Sequence, residues 1–137
     1  MIIADTGAVL ALLDADDRHH QTLRALFEEG PTRWLLPWAI LPEVDYLALS
    51  QLGQRVEIAF LEDLADGHFA VDWGEHVDLV RARELDVKYR ALKLGLVDAV
   101  VMATAERRRA DAIATLDLRH FAAVRIGGAP KLFPRDL

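Results

Sequence analysis

The sequence predicts an α/β domain of three layers, with a mostly parallel central sheet flanked by helices. Two observations predict it. Short apolar runs at 2–4, 33–36 and 112–116 are bounded by turn residues and lack the alternation of a half-exposed strand. Between them lie stretches with helical periodicity, and strands alternating with helices make a parallel sheet covered on both faces. The size fits one such domain: 137 residues, 53% of them apolar.

In chain order, Ile2, Ile3 and Ala4 form the first buried strand, and Asp5-Thr6-Gly7 turns out of it. Residues 8–13 make one or two helical turns. Asp17 caps a helix that runs to about Glu29, where Gly30-Pro31 stops it. A second strand covers 33–36. A helix over 38–51 carries Pro42 in its first turns, where a missing N–H is tolerated. Residues 54–65 form another helix, ended by Gly67, and 69–73 are a β-type run. Residues 75–92 are helical, Gly95 breaks the pattern, and 97–109 are helical again. The last strands are expected at 112–116 and 124–126.

Composition narrows the function. The formal net charge is −6, which argues against coating nucleic acid by bulk charge. There is no cysteine, so disulfides and thiolate metal sites are excluded. The longest apolar run, 34–41, contains Pro37 and falls far short of the roughly 20 residues of a spanning helix. The expected compartment is the cytoplasm.

Four acidic residues have unusual surroundings. Asp5 and Asp117 each close a predicted strand, and Glu43 and Asp98 open apolar helices. Singly, each has an ordinary use: Asp5 and Asp98 as helix caps, Glu43 at a helix dipole, Asp117 in a turn. Asp98 is the most informative, because Val97 to Ala105 holds no other charge, and such a helix is buried. Together they are less easily dismissed. A parallel sheet gathers functional residues beyond its carboxyl ends. Carboxylates brought together there repel and need protons or cations. Oxygen ligands suit Mg²⁺ or Mn²⁺, and a cation so held activates water and stabilises charge on a phosphodiester.

These residues resemble the motifs of PIN-domain ribonucleases, in particular the VapC-type toxins of bacterial toxin–antitoxin pairs. Ile3-Ala4-Asp5-Thr6-Gly7-Ala8 resembles the family's Asp-Ser/Thr start, and Pro42-Glu43 its mid-chain glutamate. Gly95-Leu96-Val97-Asp98-Ala99, continuing through Ala103-Thr104-Ala105-Glu106-Arg107, resembles its third acidic motif. Thr115-Leu116-Asp117-Leu118-Arg119-His120-Phe121 resembles its Thr-x-Asp…His-Phe motif. Order, spacing and length fit over the whole chain, so the resemblance implies one PIN-like nuclease domain over 1–137. It implies that Asp5, Glu43, Asp98 and Asp117 are the catalytic, metal-binding set, with Thr6 and Thr115 as hydroxyl partners. It further implies an endoribonuclease cutting structured RNA such as tRNA or rRNA, a cognate antitoxin partner, and a homodimer.

Two other readings compete. A phosphoryl-transfer domain of the haloacid-dehalogenase or response-regulator type also places an Asp after a strand. The first expects a second Asp where Gly7 stands, and the second expects a Lys after the strand at 112–116, where none follows. An inactive PIN-fold interaction module is the non-enzyme alternative.

Other features have weaker claims. Arg107 and Arg108 either complement a helix C-terminus or contact phosphate. Arg119, with Arg33, Lys88, Arg90 and Lys93, is a further candidate for an RNA-facing rim. His19-His20 lacks metal-ligand spacing and is expected as an exposed loop pair. His120 either lines the site or packs. Trp34, Trp38 and Trp73 are expected in the core. Residues 45–50, with Tyr46, Leu47 and Leu49, fit a dimer face or ordinary packing.

Overall fold

The first apolar run is a strand, β1 (Ile2–Ala4), all of whose residues are fully buried. Such complete burial explains why the run is continuous rather than alternating. The computed structural model describes residues 1–137. β1 pairs in parallel with β2 (Trp34–Pro37) on one side and β4 (Ala112–Ala114) on the other. β3 (Ala70–Asp72) and β5 (Lys131–Phe133) complete an all-parallel sheet in the order β3-β2-β1-β4-β5. The chain lays strands outward from β1 to β3, then crosses back to place β4 on the other side of β1. The order therefore reverses between β1 and β4, where ligand crevices open in such sheets.

Seven helices surround the sheet: α1 (Thr6–Leu13), α2 (His20–Glu29), α3 (Leu41–Leu47), α4 (Gln54–Ala65), α5 (His76–Lys88), α6 (Gly95–Arg108) and α7 (Leu118–Phe121). α1 packs on α2 and α3, while α6 packs on α5, β1 and β2. Every residue from Ala99 to Ala105 is buried, as the unbroken apolar stretch requires. No helix is long and apolar enough to cross a membrane.

Several expectations are corrected. The last strand is not 124–126 but Lys131–Phe133. The N–H groups of Ala123 and Val124 both return to the His120 carbonyl, so this backbone continues the turn after α7 and is not free to join a ladder. Val124 and the nearby Ile126 instead pack as loop residues on the core. Asp17 does not cap α2. The capping position belongs to His19, and Asp17 Oδ1 accepts the His19 N–H at 2.7 Å, one step outside the helix. The helix expected at 38–51 is three short pieces: a 3₁₀ turn (Trp38–Ile40), α3 with Pro42 in its first turn, and a π turn (Ala48–Leu52). Gly95 begins α6 rather than breaking it. It adopts φ +80, a left-handed value that glycine tolerates, and its N–H is held by Asp86 Oδ1 at 3.1 Å.

The tryptophans divide. Trp34 is buried and meets Phe27 edge-on, with ring centroids 5.5 Å apart. Trp38 is half-buried. Trp73, expected in the core, is 75% exposed just beyond β3. Tyr46 and Leu49 are also exposed, so ordinary packing does not account for them.

One charge network ties β3 to α5 and α6. Arg107 reaches Asp78 and Asp72, each at 2.7 Å, and Arg108 reaches Asp72 at 2.6 Å. Both carboxylates are almost wholly buried. Burial opposes the Asp72 charge, but hydrogen bonds from Arg108 and Arg107 outweigh it and hold its carboxyl below the ordinary range. Asp78 also accepts the Glu75 N–H, closing a capping box at the start of α5. Arg107 and Arg108 therefore already have carboxylate partners. Arg107→Ala would leave two buried carboxylates short of a cation. We expect urea unfolding to report a loss of about 3 kcal/mol, whereas Arg24→Ala, at the exposed Arg24–Glu28 pair, should cost about 0.5 kcal/mol or less.

Candidate active site at the sheet's carboxyl edge

Asp5 follows β1, and its N–H extends the ladder to the Ala114 carbonyl at 2.9 Å. It also caps α1, with Oδ1 accepting the Thr6 N–H at 2.8 Å. The capping use and placement in the cleft are thus compatible in one residue. Its second oxygen accepts from the Thr115 hydroxyl at 2.9 Å. That hydroxyl in turn accepts the Asp117 N–H at 3.0 Å, so its proton is directed at Asp5. Thr115 couples the exit of β4 to the exit of β1, as an orienting hydroxyl should. Thr6 differs. Its backbone holds Asp5, while its buried hydroxyl has no hydrogen-bond partner.

Asp117 caps α7, and its Oδ1 accepts the His120 N–H at 3.2 Å. Asp98 stands in the first turn of α6, where Leu94, not Asp98, takes the capping position. Glu43 stands in the first turn of α3 and is exposed. All four line one open cleft of about 340 Å³, together with Thr6, and no Lys or Arg lines it. A larger cavity of about 420 Å³ lies among Met102, Phe121 and Leu132 and contains no carboxylate, so size does not locate the chemistry.

A histidine stands against two of the cleft's carboxylates. His120 Nδ1 lies 2.6 Å from Asp98 Oδ2 and 3.1 Å from Asp117 Oδ2. Sequence reasoning left its role open; the i,i+3 spacing from a capping Asp117 was the available signal. Asp98, Asp117 and His120 offer ligand atoms within 4.8 Å of one another and could hold a metal ion. Asp5 and Glu43 line the same cleft outside that tight group.

Arg119 is exposed on α7, beside His120. Arg107 lies nine residues along α6 from Asp98, about 13 Å by helical rise. Arg33 precedes β2 and so falls at the amino edge, away from the cleft. Lys88 lies over the Tyr89 ring, and Arg90 bonds the Val87 carbonyl.

Burial, then the Asp98 charge, pushes the Asp5 carboxyl up to about 7, against the hydrogen bonds from Thr115 and Thr6. Burial also raises Asp98, with Asp117 and Glu43 adding to the rise and His120 opposing it. The hydrogen bond to Asp98 raises His120 in turn.

Residues 2–127 match the family described as PIN domain. The chain is 32% identical over 128 residues to Ribonuclease VapC26 of Mycobacterium tuberculosis, covering 93% of this chain and 95% of that protein. Two solved structures share the fold. The VapC20 toxin of M. tuberculosis, described as cleaving the sarcin–ricin loop, superposes with TM-score 0.78 at 21% identity, over 91% of this chain and 97% of its own. The DNA-bound VapBC complex of Salmonella typhimurium gives 0.70 at 20% identity, over 96% and 95%.

The Asp5 shift carries a stability consequence. An acid whose folded pKa is raised binds its proton more tightly when folded. The metal-free protein thus has the full benefit below the ordinary value of 3.8 and loses it as pH rises through about 7. The loss is on the order of 4 kcal/mol. With chelator at pH 8, Asp5→Asn should show a higher urea midpoint than the parent, and the gap should close by pH 4. Equal midpoints at pH 8 would contradict the buried charge.

Proposed function

This chain belongs to the PIN-domain family, and on that premise we propose that it is a divalent-metal-dependent endoribonuclease, the toxin of a toxin–antitoxin pair. The observation that carries the reading is the cleft itself: Asp5, Glu43, Asp98 and Asp117 share a hollow that no Lys or Arg lines. Carboxylates so placed need a cation. The donor set is hard, and oxygen donors with one imidazole suit Mg²⁺ or Mn²⁺. The unpartnered Thr6 hydroxyl fits a site that gains a polar occupant.

Asp98 and Asp117 would hold the ion, with Asp5 and Glu43 completing the negative wall. A bound ion would supply Lewis acidity toward a phosphodiester oxygen and lower the pKa of water, so that hydroxide is available to attack the phosphorus and displace the leaving oxygen. The protein's own groups set the stage. Thr115 and the Thr6 N–H fix the Asp5 carboxylate in one orientation. His120, protonated, would balance Asp98 and Asp117 when no other cation does. Arg119, exposed on the adjoining helix, is suited to an RNA phosphate.

The substrate class we propose is structured RNA, such as tRNA or rRNA, whose cleavage arrests translation in the cytoplasm. A relative 32% identical over 128 residues is named a ribonuclease, which supports this reading. A cognate antitoxin covering the cleft, and a homodimer, complete the proposal. The exposed apolar side chains Tyr46, Leu49, Trp73 and Val77 are available for such contacts.

The test is controlled induction followed by sequencing of RNA 5′ ends. Discrete new ends should accumulate with the parent and disappear with Asp98→Asn. In vitro, chelator should abolish cleavage and Mn²⁺ restore it, and Asp98→Asn should lose at least about a hundredfold in rate, beyond typical losses from a ligand's outer partners. A folded Asp98→Asn protein as toxic as the parent would sink the assignment.

A further inference from the structure

We propose that a second hollow, adjoining the acidic cleft, seats a neighbouring backbone phosphate of the RNA strand on Arg18 and His19. This rests on the ribonuclease reading above and names where the strand goes next. The hollow has a volume of about 350 Å³, and its polar walls are Arg18, His19, Thr115 and Arg135, with no carboxylate among its lining residues. Leu116 lines both this hollow and the acidic cleft. Thr115, on its wall, is the residue whose hydroxyl holds Asp5. The two hollows thus meet at Leu116, one lined by carboxylates and the other by arginines and a histidine.

Arg18 is the group free to bind. Its one side-chain hydrogen bond is from Nε to His19 Nε2 at 3.1 Å, and it takes part in no ion pair. Four of its five N–H donors remain available. With Nε2 accepting from Arg18, the Nδ1 side of the His19 ring is left as a donor of its own. The loop's own carboxylates, Asp14, Asp16 and Asp17, form no ion pair with Arg18, and Asp14 and Asp17 each turn an oxygen to a backbone N–H, of Asp16 and of His19. Arg135 is engaged differently. It forks onto Asp136 at 2.8 and 3.0 Å, which makes it a wall rather than a donor in waiting. His20 is excluded as well, because its Nδ1 meets the Ala11 carbonyl at 2.8 Å and secures the end of α1.

The charge pattern selects the ligand. A strand entering the acidic cleft brings one phosphate to the cation there. Its next phosphate leaves that cation's reach and needs a fixed positive group beside the carboxylates. Arg18 is the unpaired cation lining that neighbouring space. A guanidinium suits phosphate geometry, and a backbone contact of this kind positions a strand without reading its sequence.

The experiment measures binding separately from cleavage. A short fluorescein-labelled single-stranded RNA is titrated by anisotropy into the non-cleaving Asp98→Asn protein, with and without Arg18→Ala or Arg18→Ala/His19→Ala. At low salt Arg18→Ala should weaken binding about three- to fivefold, as loss of an exposed charge contact does. The salt dependence should fall by about one phosphate contact. In the cleaving background the same change should raise KM with kcat retained. Arg83→Ala, an exposed arginine on α5 outside both hollows, is the charge-matched control. Unchanged affinity and salt slope for Arg18→Ala, or an equal loss for Arg83→Ala, overturns the proposal. If RNA binds as expected but the parent cleaves nothing, the phosphate seat stands and the ribonuclease reading fails. If the parent cleaves and Arg18→Ala is silent, the reverse holds.

Discussion

The structure depends on β1 being buried on both faces and hydrogen-bonded on both edges. Three residues, Ile2, Ile3 and Ala4, have no contact with solvent and pair with β2 and β4 together. Because the strand order turns back across β1, the exits of β1 and β4 emerge as neighbours. Asp5 and Asp117 stand at those exits, and Thr115 ties them. Helices α3 and α6 then deliver Glu43 and Asp98 to the same opening. The cleft is a consequence of sheet topology.

Two sets of buried carboxylates show how surroundings separate a structural role from a chemical one. Asp72 and Asp5 are 3% and 5% exposed, and burial opposes both charges. Asp72 receives two guanidinium groups and is driven more acidic. Asp5 receives a hydroxyl and one N–H, faces Asp98 and Asp117, and is driven less acidic. The first arrangement is internally balanced and holds α6 against β3 and α5. The second is balanced only by protons, by His120 or by something that enters. That unbalanced buried charge in a cleft is the ground on which we propose it as the site of chemistry.

The carboxylates and the fold class were legible because their signals are local. A continuous apolar run announces a doubly covered strand, and a charge within such a run or at its end is conspicuous. The ends of elements were less legible. The strand at 124–126 failed because apolar composition does not show where the backbone N–H groups go, and those of Ala123 and Val124 go to His120. Trp73 was misplaced since residue type alone cannot tell an edge-strand exit from a core strand. The role of His120 was left open for a related reason: its partner Asp98 is remote in sequence.

By itself the sequence determined which residues are acidic, which elements carry them, and that each follows a strand or opens a helix. Periodicity and charge are properties of neighbours along the chain, so they need no coordinates. Tertiary structure decided which charges meet. Arg107 and Arg108 read as candidate phosphate contacts until Asp72 and Asp78 were found against them. Asp5 is the helix cap its position suggested, and only the fold set Asp98, Asp117 and Thr115 beside it as well. Electrostatic balance depends on distance through space, and only the folded chain sets it.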